Sequence, residues 1–160
     1  MRWLIAAAVS LLTTAFVGLS AVAGWFYWDR VETRGEASAR ATLPPLAAKE
    51  IPQVLGYDYQ TVERSLTDVY PLLTPAYREE FKKQANAAII PEARKREVVS
   101  QVSIAGTGIM VAKRNSGSVM VFMNRTVTDK SKQPIYEGSR LRVDYQRLDG
   151  KWLINYIQPI

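Results

Sequence analysis

The sequence predicts an α+β fold: helices packed on a curved four-stranded antiparallel sheet, behind a single N-terminal transmembrane helix. Three observations predict it. Residues 3–28 form a run of 26 residues without a charge. Apolar residues then recur at spacings of three and four up to about residue 96. Beyond that point the period changes to two, the alternation of half-buried strands, and holds almost to the C-terminus.

The uncharged run is rich in Ala, Leu and Val. About 20 helical residues cross a hydrocarbon core, so residues 1–28 are long enough to serve as a transmembrane anchor with some tilt. Trp3 stands at one end and Trp25, Phe26, Tyr27 and Trp28 at the other, where amphipathic rings favour the membrane interface. The rival reading is a cleaved signal peptide, because Ala21-Val22-Ala23 followed by Gly24 matches a cleavage pattern. The run is longer than a signal-peptide core and continues past that point into the aromatics, which favours a retained anchor. Ala6, Ser10, Thr14 and Gly18 recur every four residues, one stripe on which another membrane helix could pack closely. An Ala-rich helix also produces such a stripe by chance. The flanking charges leave orientation open. Lys and Arg alone favour a cytoplasmic domain, and net charge favours an exported one.

Residues 29–45 read as a juxtamembrane connector, charged throughout, in which Pro44-Pro45 is expected to interrupt any continuous helix. Residues 46–160 form the globular α+β domain, with helices over about 46–96 and the sheet over about 97–159. Within the helical part, 46–55 is a short apolar stretch, and Asp58 is placed to cap a helix running from Tyr59. Thr74-Pro75 is a stronger start signal, with Tyr77, Phe81, Ala85, Ala88 and Ile89 on the apolar stripe of the helix that follows and an end near Pro91, which can open another short turn.

In the sheet, strands are expected up to Ala112, over 118–127 and over 135–148, with Asn115-Ser116-Gly117 as the first turn. Asp149-Gly150 supplies a two-residue hairpin turn. It sets a register in which Tyr145 faces Ile154, Val143 faces Tyr156 and Arg147 faces Trp152. Strands this long usually curve, and Gly106, Gly108 and Gly138 offer places for a bulge or bend. A core closed by Tyr145, Trp152, Tyr156 and Phe122 would leave no room for a ligand.

Composition narrows the chemistry. The chain has no cysteine and no histidine, which removes a disulfide framework, a thiol nucleophile, Cys-based metal sites and the usual general base. Nor does it contain GxxxxGK[ST] or GxGxxG. No enzymatic activity, metal or cofactor is expected; an enzyme on this scaffold would use Asp58 or a tyrosine. Residues 29–160 carry twenty basic against fifteen acidic residues. The basic residues are dispersed among acids, which reads as a solvated surface rather than a nucleic-acid interface. Attraction to anionic lipid headgroups is the alternative for a domain held at a bilayer.

Three segments carry a family resemblance: Leu55-Gly56-Tyr57-Asp58-Tyr59, the stretch from Leu72 to Phe81 around Thr74-Pro75, and Asp149-Gly150-Lys151-Trp152-Leu153-Ile154. With the lone N-terminal helix and the Arg-rich stretch before the first strand, the chain resembles the Mce-associated membrane proteins. These accompany the Mce lipid-import systems of actinobacteria. The resemblance implies a cone-shaped NTF2-like or cystatin-like domain on the extracytoplasmic side of the cell membrane. It also implies a non-enzymatic accessory subunit whose partners are Mce complex proteins and their permease subunits. A more distant similarity is to VirB8-like scaffold proteins. The alternative function is a membrane-tethered domain that binds a lipid or another hydrophobic ligand between sheet and helix.

Overall fold

Helix α1 spans Arg2–Leu55, and its last four turns form the centre of the domain. Ala39, Leu43, Ala47, Ile51 and Val54 follow one another at three or four residues, and all are buried. The computed structural model describes residues 19–20 and 30–160 in full and, for residues 2–18 and 21–29, the helical backbone. Among the described residues no helix is long and apolar enough to cross a membrane. The anchor expected over 1–28 falls, apart from Leu19 and Ser20, on side chains outside the described residues.

The interruption expected at Pro44-Pro45 does not occur: Pro44, Pro45 and Pro52 all lie inside α1. A proline within a helix costs about 3 kcal/mol through its lost N–H and its clash with the preceding turn. Burial of Leu43, Ala47 and Ile51 against the sheet, at about 1.5–3 kcal/mol for each large side chain, offsets that cost. Arg40 and Ala41, whose carbonyls lose their helical partners, are exposed, so water can serve them.

After α1 the chain forms β1 (Tyr57–Asp58), α2 (Val62–Val69), a short 3₁₀ turn over 70–72 and α3 (Pro75–Gln84). A π turn over 85–89 then leads into α4 (Ile90–Arg96). Thr74 caps α3 as expected, its Oγ1 accepting a hydrogen bond from Tyr77 N at 3.4 Å. Near Pro91 the helix gives way to α4, a short helix with Pro91 in its first turn, where proline is tolerated, that runs to Arg96. Glu97 then stops it in the left-handed conformation. On the predicted stripe Phe81 and Ala85 are buried, whereas Ala88 is exposed on the π turn, which shifts the helical phase.

Four long strands complete the chain: β2 (Val99–Ala112), β3 (Ser116–Thr128), β4 (Ile135–Leu148) and β5 (Lys151–Pro159). The sheet has five antiparallel strands in the order β1-β2-β3-β4-β5, one more than predicted. The extra strand is the two-residue β1, too short to show an alternating pattern. The first turn lies at 113–115, closed by Lys113 N donating to Ser116 O at 2.8 Å, so Ser116 and Gly117 belong to β3.

The hairpin at Asp149-Gly150 forms as predicted, with both residues at positive φ. Tyr145 pairs with Ile154 and Arg147 with Trp152, but Val143 pairs with Ile157 rather than Tyr156. A bulge at Asn155 inserts one residue and shifts the register beyond it. Two further bulges lie in β2, beside Gly106 and after Ile109, whereas Gly138 pairs regularly with Asn124.

Candidate functional site

The face of the sheet against α1 is lined by Val119, Val121, Met123, Leu141, Val143, Tyr145 and Ile154, all buried. Gly117 makes room for the Leu43 side chain of α1 on the sheet. A Cβ there would collide with Leu43 Cδ1 and stand 3.0 Å from the carbonyl of Val111. Into this packing α1 inserts one acid, Glu50, only 6% exposed. Its Oε2 accepts a hydrogen bond from the hydroxyl of Tyr145 at 3.1 Å, and Tyr145 is 2% exposed.

Burial pushes the Glu50 carboxyl up to about 7, against the opposing hydrogen bond from Tyr145 and the charge of Lys49. Burial, reinforced by the neighbouring carboxylate, raises Tyr145 above the ordinary tyrosine range, so its hydroxyl stays a donor. Sequence reasoning missed this pair. The available signal was that Glu50 stands three residues after Ala47 and seven after Leu43, on the apolar stripe itself. A donor and an acceptor enclosed this far act as an internal strut that fixes α1 on the sheet.

A second tie joins α3 to the edge of the sheet. Leu73 bridges Ile154, Thr74 N donates to Ile154 O at 2.9 Å, and Thr74 Oγ1 donates to Asn155 Oδ1 at 3.3 Å. The Asn155 bulge is therefore where the Thr74 cap attaches to β5. Tyr77 packs edge-on against Tyr156, with ring centroids 5.6 Å apart.

The opposite face of the sheet is open. Phe122 (45% exposed), Val111, Ala105, Asn124 and Arg140 meet solvent there, and Met120 is partly covered. Phe122 and Tyr156 are thus exposed and do not close a core with Tyr145 and Trp152; Phe122 follows the pleat outward between buried Val121 and Met123. Across this face runs a charge-neutral cluster. Asp144 Oδ1 accepts from Arg142 Nε at 2.9 Å and from the Ser118 hydroxyl, and Arg142 Nη2 reaches Ser118 Oγ at 3.5 Å. A shallow hollow of about 390 Å³ lies between Phe122, Asn124, Gly138, Arg140 and Ile160.

The helix-packing candidates Ala6, Ser10, Thr14 and Gly18 lie outside the described side chains, as do the interface aromatics Trp3, Trp25, Phe26, Tyr27 and Trp28. Asp58 is not a helix cap. It pairs with Val99 in β1, its carboxylate accepts from Gln60 N at 2.8 Å, and α2 starts only at Val62. Basic residues are tied to acids: Arg94 to Glu63 at 3.0 Å, Arg96 to Asp129 at 2.9 Å and Lys130 to Glu97 at 3.5 Å. The hydrogen bond from Arg96 holds the Asp129 carboxyl down at about 2. Among the described residues no group of three or more acidic side chains is gathered as a metal ligand set.

No family model matches the chain. It is similar to the outer membrane protein Rv1973 of Mycobacterium tuberculosis, 26% identical over 160 residues and covering 100% of both chains. A second protein of that organism, the uncharacterized Rv1362c, is 20% identical over 140 residues, 86% of this chain and 64% of its own. Among solved structures, an IcmL-like type IV secretion system protein from Legionella pneumophila superposes with a TM-score of 0.65. It is 12% identical, over 76% of this chain and 93% of that one. The Agrobacterium tumefaciens VirB8 protein gives 0.59 at 15% identity, over 79% and 92%. The periplasmic domain of DotI gives 0.64 at 10% identity, over 75% and 94%. At these identities the likeness is one of fold.

Proposed function

We propose that the chain is a non-enzymatic, membrane-tethered accessory subunit whose domain stands on the extracytoplasmic side and holds together the components of an Mce-type lipid transport complex. One observation carries this reading. A single unbroken helix continues from the uncharged run into the middle of the domain, where Leu43, Ala47, Glu50, Ile51 and Val54 fill the face of the sheet that a carrier would reserve for its ligand. What remains available is the opposite face, with its exposed Phe122 and Val111. The similarity to a mycobacterial outer membrane protein supports the membrane assignment, and the fold shared with type IV secretion proteins supports an assembly role. The sequence resemblance to Mce-associated proteins supports an Mce-type complex as the partner.

The test is co-purification of the tagged full chain after gentle solubilisation. Mce proteins and the permease should be recovered with it, and recovery of the chain alone contradicts the reading. Replacing Ser10, Thr14 and Gly18 by Leu separates the two contact sites. Loss of partners with insertion intact assigns the contact to the bilayer, whereas unchanged recovery assigns it to the domain.

A further inference from the structure

We infer that the end of the sheet formed by the β2–β3 and β4–β5 turns rests on an anionic bilayer surface, an inference that builds on the tether reading above. Helix α1 runs antiparallel to β2. Gly35 lies against Arg114 in the β2–β3 turn, Leu43 against Gly117, and the carbonyl of Leu55 against the Ser100 hydroxyl at 2.9 Å. The β4–β5 turn lies at the same end, because Arg147 N donates to Asn115 O at 2.8 Å. Both turns therefore point back along α1, toward the uncharged run.

Their height follows from helix geometry. From Trp28 to Gly35 is seven residues, a rise of about 10 Å. A headgroup layer extends roughly 5–8 Å beyond the hydrocarbon on each side. The turns thus stand at the outer margin of the headgroups, within the screening length of about 8–10 Å.

The charge at this end suits an anionic surface. Lys113, Arg114, Arg147 and Lys151 are all exposed and face one acid, Asp149. Arg147 covers the Trp152 ring at 5.9 Å and donates to Gly150 O at 3.3 Å, which keeps its cation at the turn. On the neighbouring stretch of α1, Arg30, Arg34 and Arg40 are matched by Asp29, Glu32 and Glu36, so the excess belongs to the turns. The β3–β4 loop, with Lys130 and Lys132, is roughly 40 Å further out along the 13 residues of β3 and serves as an internal control. Such a contact would fix the tilt of the domain on its tether and decide which way its open face points.

The absence of cysteine makes the test direct. The full chain carrying Asn115→Cys or Lys132→Cys is labelled with a fluorophore and reconstituted into vesicles. These are made of phosphatidylcholine alone or of phosphatidylcholine with phosphatidylglycerol, each containing a headgroup-labelled acceptor lipid. Energy transfer from position 115 should exceed that from position 132 several-fold in the anionic vesicles. It should fall when Lys113, Arg114 and Lys151 are changed to Glu, and also in the neutral vesicles. Equal transfer from both positions, or transfer from 115 indifferent to lipid charge, overturns the inference while leaving the tether intact. A chain that is stripped from the vesicles by alkaline carbonate overturns the tether reading, and the inference with it.

Discussion

The hydroxyl of Tyr145, near the C-terminal end of β4, donates a 3.1 Å hydrogen bond to Glu50 of α1, and both side chains are buried. This contact joins residues 95 positions apart and ties the helix to the sheet. A carboxyl raised to about 7 makes the stability of the joint depend on pH.

The sign follows from linkage. The folded protein keeps the Glu50 proton up to about pH 7, whereas the unfolded chain releases it near 4.5. Stability therefore falls as pH rises through that window and levels off above it, by on the order of 3 kcal/mol. Glu50→Gln keeps an acceptor for Tyr145 without the charge. Denaturant melts should show it more stable than the wild type at pH 8 and similar at pH 4, with the intervening slope reduced.

Tyr145→Phe preserves the ring but leaves Glu50 buried without its donor. A loss of about 1–3 kcal/mol is expected. The double variant with Glu50→Leu, which removes the acceptor, should couple, costing an amount different from the sum of the two single changes, because the residues share one contact. Additive costs in that double-mutant cycle would show that the hydrogen bond contributes nothing.

Gly117→Ala brings a methyl group against Leu43 and the Val111 carbonyl. Overpacking of this kind costs about 1–3 kcal/mol. Leu43→Ala opens the space, so the two together should destabilise by less than the sum of their separate effects in urea unfolding.

Thr74→Ala removes both the α3 cap and the bond to Asn155. A cost of about 0.5–2 kcal/mol is expected, and Thr74→Ser, which retains the hydroxyl, should recover most of it. Thermal melts of the two variants check this.

The sheet was legible because its signals are local. Asp149-Gly150 defines a turn, and the alternation of Leu141, Val143 and Tyr145 with Arg140, Arg142 and Asp144 assigns the faces. Where the reading failed, a long-range contact had overridden a local preference. Pro44 and Pro45 remain helical because flanking residues are buried against long strands that begin at Val99, more than fifty residues later. The bulge at Asn155, which displaces Tyr156 from Val143, is held by Thr74 across a separation of 81 positions. Phe122 sits in a strand apolar throughout, so hydrophobicity does not assign its face; the pleat between Val121 and Met123 turns it outward. The open face was hidden for the same reason: an exposed aromatic and a core aromatic look alike until the partner strand is known. Glu50 was hidden because a single acid in a helix ordinarily faces water.

The central claim is that the domain serves assembly through the sheet face that α1 leaves open. Photocrosslinking in living cells measures this most directly, with a photoreactive residue placed at Phe122 and, as a control, at the exposed Glu80 of α3. The proposal predicts crosslinks from position 122, and few from position 80, to proteins of the Mce transport complex. Position 122 yielding no protein adduct, with the chain correctly inserted and folded, would contradict it.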